Sequence, residues 1–144
     1  MADLTDPYAS GDIVVRLKDK EWHDLGGGTR FKLLRCNLET GEWVIYVHMQ
    51  PGATFAPHRH LSDSEYYVTR GELLYDVGSA PEGTYGYEPL GSVHHEARCE
   101  EETEMLFFGH GAVVYTGEQG ELRFILDSEF LRDVASGSVL ADVS

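Results

Sequence analysis

The sequence predicts an all-β fold, on three observations. Its 16 glycines fall between short runs rich in Val, Ile, Tyr, Phe and Thr, which is the punctuation of strands and turns. Helical periodicity is nearly absent before the C-terminal segment. Turn signals recur at short intervals, at Gly26-Gly27-Gly28, Glu39-Thr40-Gly41, Pro51-Gly52, Arg70-Gly71, Pro81-Glu82-Gly83 and Gly117-Glu118-Gln119-Gly120. About eleven short strands at such spacing suggest a sandwich or barrel of antiparallel strands.

In chain order the expected strands are Asp12–Arg16, Thr29–Cys36, Glu42–Met49, Thr54–His60, Glu65–Thr69, Glu72–Val77, Thr84–Glu88, Val93–Arg98, Thr103–Phe108, Ala112–Thr116 and Glu121–Ile125. The run Glu42–Met49 is bulky on both faces, with Trp43, Ile45 and Val47 on one and Val44, Tyr46 and His48 on the other. A strand apolar on both sides is usually covered on both, here by a second sheet and by another subunit, which hints at a homodimer. One short helix is expected over about residues 128–136. Asp127 is a suitable N-cap, Glu129 adds first-turn negative charge, Phe130, Leu131 and Val134 make a narrow apolar stripe, and Gly137 can end it. Ser138–Ser144 reads as a frayed tail. With no repeat, low-complexity tract or linker, residues 1–144 read as one domain, its barrel core spanning about residues 29–126.

Charge narrows the partners. With 25 Asp and Glu against 11 Lys and Arg, the formal charge is −14. Neither the basic footprint of a nucleic-acid binder nor the polybasic segment of an anionic-membrane binder is present. No apolar stretch approaches membrane-spanning length, and Met1–Ser10 lacks the features of a signal peptide. Cys36 and Cys99 match no zinc-finger or disulfide framework, which points to a reducing, cytoplasmic home. Neither cysteine has a positioned partner, Gly26-Gly27-Gly28 is no phosphate loop and no serine elbow occurs.

The seven histidines then become the candidates for chemistry. In Gly52-Ala-Thr-Phe-Ala-Pro-His58-Arg-His60 the two histidines sit two apart on a predicted strand. They project the same way and can share one ion, while Arg59 faces opposite. Alone, a His-x-His pair without any metal is as good a reading. A second segment, Gly83-Thr-Tyr-Gly-Tyr-Glu-Pro89-Leu-Gly91-Ser-Val-His94, adds a Pro-x-Gly turn that sets where the next strand begins and which way His94 faces.

Together these segments resemble the paired motifs of the cupin superfamily, Gly-x5-His-x-His-x3 or x4-Glu-x6-Gly followed by Gly-x5-Pro-x-Gly-x2-His-x3-Asn. The matching positions are Gly52, His58, His60, Glu65 and Gly71, then Gly83, Pro89, Gly91 and His94, and Arg98 stands where the family has its final Asn. The resemblance implies a double-stranded β-helix, or jelly-roll barrel, with a metal inside held by His58, His60 and His94. Glu65 departs from the pattern, since only five residues separate it from Gly71 and Ser64 occupies the expected place. An offset of one flips the face of a strand side chain. With Arg70-Gly71 holding the register, Ser64, Tyr66 and Val68 face inward and Glu65, Tyr67 and Thr69 outward, unless a β-bulge restores Glu65 to the site.

The expectation is a three-histidine site without a carboxylate ligand. Within the cupins this pattern, with Ser64–Gly71 and Thr84–Glu88, is similar to the acetylacetone-cleaving (β-diketone) dioxygenases, and Met105–Glu121 resembles their 2,4'-dihydroxyacetophenone dioxygenase relatives. This implies a homo-oligomer, a dimer or dimer of dimers. It also implies a nonheme Fe(II) enzyme, with Zn or Ni as possible bound metals, that uses O2 to cleave a carbon–carbon bond of a small diketone or hydroxyketone. Three neutral imidazoles leave the full dipositive charge on the metal, which favours an anionic chelate such as an enolate.

Glu88, Tyr66 and Phe55 complete the candidate catalytic set. Glu88 can hydrogen-bond a ligand imidazole or a substrate oxygen, or else be a solvent-facing strand end. Phe55, Tyr66, Val68 and Phe107 or Phe108 can line a dry site or be ordinary core. His48 can reach the interior, His110 sits in a Gly-His-Gly turn and His23 in a loop. Two other functions remain open. One is a noncatalytic metal sensor like the zinc-binding cupin modules of anti-sigma factors, which come attached to a helical segment not seen in this sequence. The other is a nonoxidative cupin such as an isomerase, which would keep the glutamate ligand.

Overall fold

The computed structural model describes residues 3–144. After a 3-10 turn at Leu17–Asp19, the strands are β1 (His23–Gly26), β2 (Thr29–Cys36), β3 (Trp43–Met49), β4 (Thr54–Phe55), β5 (His58–His60), β6 (Ser64–Arg70) and β7 (Glu72–Tyr75). There follow β8 (Gly78–Pro81), β9 (Tyr85–Glu88), β10 (Val93–His94), β11 (Ala97–Arg98), β12 (Thr103–Gly109), β13 (Val113–Thr116), β14 (Leu122–Leu126) and the helix α1 (Ser128–Ala135). They form a six-stranded sheet in the order β1-β2-β3-β12-β6-β9 and two four-stranded sheets, β10-β5-β13-β14 and β4-β11-β7-β8. The buried faces of all three meet in one core, to which Phe31, Val47, Val68 and Met105 come from the first sheet, Val113 and Leu126 from the second, and Leu73 and Ala97 from the third.

Two expected strands each divide in two, and the site depends on the division. Pro57 has no N–H to give to a ladder. On either side of it Thr54–Phe55 pairs with β11, whereas His58–His60 pairs with β10 and β13. The segment Val93–Arg98 breaks at the same level, at His95-Glu96, into β10 and β11. Each segment therefore passes from one sheet to another at the same height, and His58 lies directly across from His94.

Register in β6 follows the turn. Gly71 has a positive φ of 75°, and a Cβ there would collide with the Glu102 carbonyl, so Arg70-Gly71 admits only glycine at its corner. Ser64, Tyr66 and Val68 are buried as expected, and Glu65 lies on the other face. A bulge does occur in this strand, but at Thr69, which has no partner between the pairs Glu104–Arg70 and Met105–Val68. It leaves Glu65 outside.

Four expectations need correction. Asp12–Arg16 is not a strand; Val14 is exposed there, and this segment runs outside the sheets. His23 lies on a strand, not in a loop. The strand expected to reach Val77 ends at Tyr75, and Asp76-Val77 forms a two-residue hairpin into β8. The supposedly frayed tail is docked. Val143 is fully buried, its N–H donates to the Leu25 carbonyl, its carbonyl accepts from Ala56 N, and Arg123 donates to the carbonyls of Asp142 and Ser144.

The helix matches its expectation, with the Asp127 carboxylate accepting from Phe130 N at 2.8 Å and Gly137 at φ 81° just past the end. On β3 the inner face is buried in the core, and the outer face, for which the sequence points to another subunit, is covered at least in part by the chain itself. The outer cover includes the chain's own Trp22, packed against Tyr46 and His48 and held between Arg30 and Lys32, whose cationic groups lie 4.3 and 4.6 Å from its ring centre.

Deleting residues 138–144 removes the Val143 side chain from the core and leaves the Leu25 and Ala56 backbone partners unpaired. The expected cost is about 2–4 kcal/mol, read as a lower urea midpoint at unchanged slope. An unchanged midpoint would show that the tail only rests on the surface.

Candidate metal centre

Three imidazoles converge in the interior. His58 and His60 come from β5, with the exposed Arg59 between them as strand alternation requires, and His94 comes from β10. All three are buried. Their ring centres lie 5.5, 5.1 and 5.2 Å apart, and one nitrogen of each can be chosen so that all three lie within 4.8 Å of one another.

The remaining ring nitrogens are tied down. His58 Nδ1–H donates to the Ala56 carbonyl at 2.8 Å, leaving Nε2 as the nitrogen with a free lone pair. His60 Nδ1 meets Ser64 Oγ at 3.2 Å and His94 Nε2 meets Ser92 Oγ at 3.0 Å. These outer contacts orient the rings, as the second partners of metal-binding histidines do. Ser64 thus has a part to play in the very place where the family pattern has its glutamate.

Glu88 enters the centre itself. Its Oε2 stands 2.9 Å from His94 Nδ1 and 3.5 Å from His60 Nε2, and His94 Nδ1 lies 3.2 Å from His58 Nε2. These facing groups are reconciled either by an N–H on His94 Nδ1, which reaches the Glu88 carboxylate, or by a metal among them. His60 Nε2 is buried without a hydrogen-bond partner, the orphan that a metal would satisfy. Burial pushes the His58 imidazole down to about 4, which keeps it in the neutral form a metal needs. Burial alone would raise the Glu88 carboxyl, but the close approach of His94 and the charge of His60 and His94 outweigh it and pull it down to about 2. The donor set fits a divalent transition metal.

Beside these groups lies a cavity of about 60 Å³, room for a few waters. Its walls are mainly apolar; Phe55 and Phe107 line it as expected, and Tyr75 and Tyr115 join them. Tyr66 stands behind this wall. It stacks on Phe107 at 6.1 Å and reaches Tyr75 with its hydroxyl at 2.7 Å. Gly86, its neighbour across the β6–β9 ladder, makes the space for its ring, which a Cβ would strike. Phe108 faces the other way, on the side of Glu65.

Other candidates lie elsewhere. Glu65 accepts from Tyr85 OH and lies 3.5 Å from His110 Nε2, while His110 Nδ1 pairs with Asp63 at 2.8 Å, all on the outer face. His48 also lies outside, contrary to its expected reach inward. It sits under Trp22, with Glu102 at 2.7 Å and Arg30 at 3.3 Å. Tyr75 and Tyr115 carried no motif, and only the strand pairing brings them to the cavity.

The architecture and this centre define a cupin, and the comparisons agree. The chain belongs to the ChrR cupin-like domain family, whose profile matches residues 10–114. It is 29% identical over 108 residues to the acetylacetone-cleaving enzyme of Acinetobacter johnsonii. That match takes in 71% of this chain and 65% of the relative, a little under two thirds of its length. In fold it is similar to the crystal structure of an acetylacetone dioxygenase from Acinetobacter johnsonii, with a TM-score of 0.83 at 19% identity over 96% of this chain and 100% of that one. It is also similar to a chain from the Rhodobacter sphaeroides complex of SigE with the anti-sigma ChrR, with a TM-score of 0.57 at 21% identity over 65% of this chain and 50% of that one. Among the described residues no helix is long and apolar enough to cross a membrane.

The buried centre makes the metal-free protein acid-sensitive. His58 binds its proton at 6.5 when unfolded and near 4 when folded, so between these values the unfolded chain takes up more protons and stability falls as pH falls. Glu88, depressed from 4.5 to about 2, extends the loss below pH 4.5. The loss between pH 6.5 and 4 should be on the order of 2–3 kcal/mol, measured by urea unfolding in the presence of chelator. His58→Asn should flatten this part of the profile, and an equally steep variant would assign the loss to other groups.

Proposed function

We propose that the chain is a nonheme Fe(II)-dependent dioxygenase that uses O2 to cleave a carbon–carbon bond of a small β-diketone or hydroxyketone. The observation that carries this reading is the convergence of His58, His60 and His94 on one point with Glu65 turned to the opposite face. Three neutral ligands with one carboxylate beside them leave a divalent ion with net positive charge, and an enolate with two oxygens is the complementary chelate. The identity to the acetylacetone-cleaving enzyme supports the same substrate class.

Bound there, Fe(II) supplies the charge that acidifies a chelating dicarbonyl and the redox chemistry that O2 requires; Zn or Ni would occupy the same donors. The chain's own residues do the rest. Ser64, Ser92 and the Ala56 carbonyl hold the three rings. Glu88, ionised and against two of those rings, is a hydrogen-bond acceptor; a carboxyl this acidic is a weak base, so it orients imidazoles and substrate hydroxyls instead of stripping the proton. Phe55 and Phe107 keep the cavity apolar, which strengthens every charge interaction inside it. Tyr66 acts from behind, through Tyr75.

The unpaired, buried Cys36 and Cys99 fit a reducing compartment such as the cytoplasm. The exposed Tyr67, Tyr85 and Tyr87 on the outer face of β6 and β9 fit a contact between copies of the chain in a homo-oligomer.

Protein loaded anaerobically with Fe(II) and given acetylacetone should consume one O2 per substrate cleaved and put one labelled oxygen atom in each fragment. Alanine at His58, His60 or His94 should abolish metal retention and lower turnover at least about 100-fold. Glu65→Gln should keep both within about threefold. No O2 uptake across a panel of diketones and hydroxyketones would sink the proposal. A second reading, a noncatalytic metal-binding sensor, is favoured by the ChrR family membership, and tight zinc binding without any O2 uptake would select it.

A further inference from the structure

The cavity beside the three histidines carries one hydroxyl held in an orienting hydrogen bond, that of Tyr75. It comes from the last residue of β7, just before the Asp76-Val77 turn, and its ring stands edge-on to His94 with centres 5.0 Å apart. Tyr66 fixes it from behind. The Tyr66 ring is clamped between Phe107 and Gly86 and is almost wholly buried, and among the described residues its hydroxyl meets only the Tyr75 hydroxyl, at 2.7 Å.

Either hydroxyl of this pair can donate, but a Tyr66 proton left over would be buried with no acceptor, whereas a Tyr75 proton left over faces the cavity, so donation by Tyr66 is the favoured arrangement. Tyr66 therefore donates and Tyr75 accepts, which leaves the Tyr75 proton unspent. No hydrogen bond joins Tyr75 to Glu88 or to a histidine among the described residues. The wall next to His94 thus presents a directed O–H donor; the cavity's other polar groups are the histidine nitrogens, the Glu88 carboxylate and the hydroxyl of Tyr115, a ring stacked on His58 whose hydroxyl no hydrogen bond orients among the described residues. A ligand oxygen there has this donor available to it.

We propose that Tyr75 is a specificity-determining residue that donates a hydrogen bond to an oxygen of the bound substrate, with Tyr66 as the positioning residue that aims it. This rests on the diketone reading above. It deepens that reading by requiring a substrate that keeps an oxygen acceptor within reach of β7 while its oxygens engage the centre. Dicarbonyl enolates meet this requirement, and a monoketone of the same size, with one oxygen to share, meets it poorly.

The test uses full-length protein loaded with Zn(II), so that no turnover intervenes, titrated with acetylacetone while the enolate absorption band is followed. Wild type is expected to bind and to shift the band. Tyr75→Phe should keep its zinc, weaken binding roughly tenfold and return the band toward its position in unbound zinc acetylacetonate. Tyr66→Phe, which leaves the cavity wall intact, should weaken binding roughly threefold and move the band part of the way. Tyr75→Phe binding within twofold of wild type with an unchanged band overturns the role of Tyr75 and leaves the diketone reading standing. Wild type that binds zinc but no acetylacetone overturns both. If Tyr75→Phe does not fold, an unchanged affinity and band in Tyr66→Phe overturns the inference by itself.

Discussion

The antiparallel pairing of His58 with His94 at the level where both of their chain segments change sheets is the constraint on which the rest depends. Pro57 ends one ladder and forces the crossing, and His95-Glu96 breaks the partner segment at the same height. Period-two alternation then adds His60 on the same side as His58. The metal donors are thereby held on short paired strands and not on a loop, so their separation is set by strand spacing. Both the donor cluster and the apolar cavity beside it follow from that junction, because Phe55 and Ala97 of the β4–β11 pair form part of the cavity wall.

Charge is arranged in two layers. The net −14 is carried mostly on the surface, and the half-buried Glu65 and Asp63 that bracket His110 lie on the outer face. Inside, one carboxylate faces three imidazoles. Glu88 lowers the charge a metal would present without filling the place that Glu65 has in the family pattern, and it does so from β9, directly across the ladder from Ser64 of β6. The interior remains cationic on balance when a divalent ion is bound, which is the condition for attracting an enolate into an apolar cavity.

Much of this was legible in the sequence because it depends on local rules. The His-x-His alternation, the inward Ser64, the outward Glu65 and the Asp127 cap each follow from one strand's period or one helix's first turn. What was not legible depends on which distant segments meet. Tyr75 became visible only with the hairpin at Asp76-Val77, since a strand running on to Val77 gives no reason to end at that residue. Glu88 could be called a neighbour of the site, but its approach to two histidines at once depends on the β6–β9 register. The docking of the tail was not legible because Val139, Ala141 and Val143, which pack on the core, follow no helical period, and the partners of Val143 are the distant Leu25 and Ala56. His48 lies on a strand from which it could reach the interior, but it faces the outer side, where the chain's own Trp22, far off in sequence, covers it.

The most direct measurement of the central claim is anomalous diffraction at the iron edge from crystals of the protein loaded anaerobically with Fe(II). One peak should lie about 2.0–2.2 Å from an imidazole nitrogen of each of His58, His60 and His94, with the Glu65 carboxylate still on the outer face beside His110. A peak bound by Glu65, or one on the outer face with the three interior histidines left metal-free, would contradict the account.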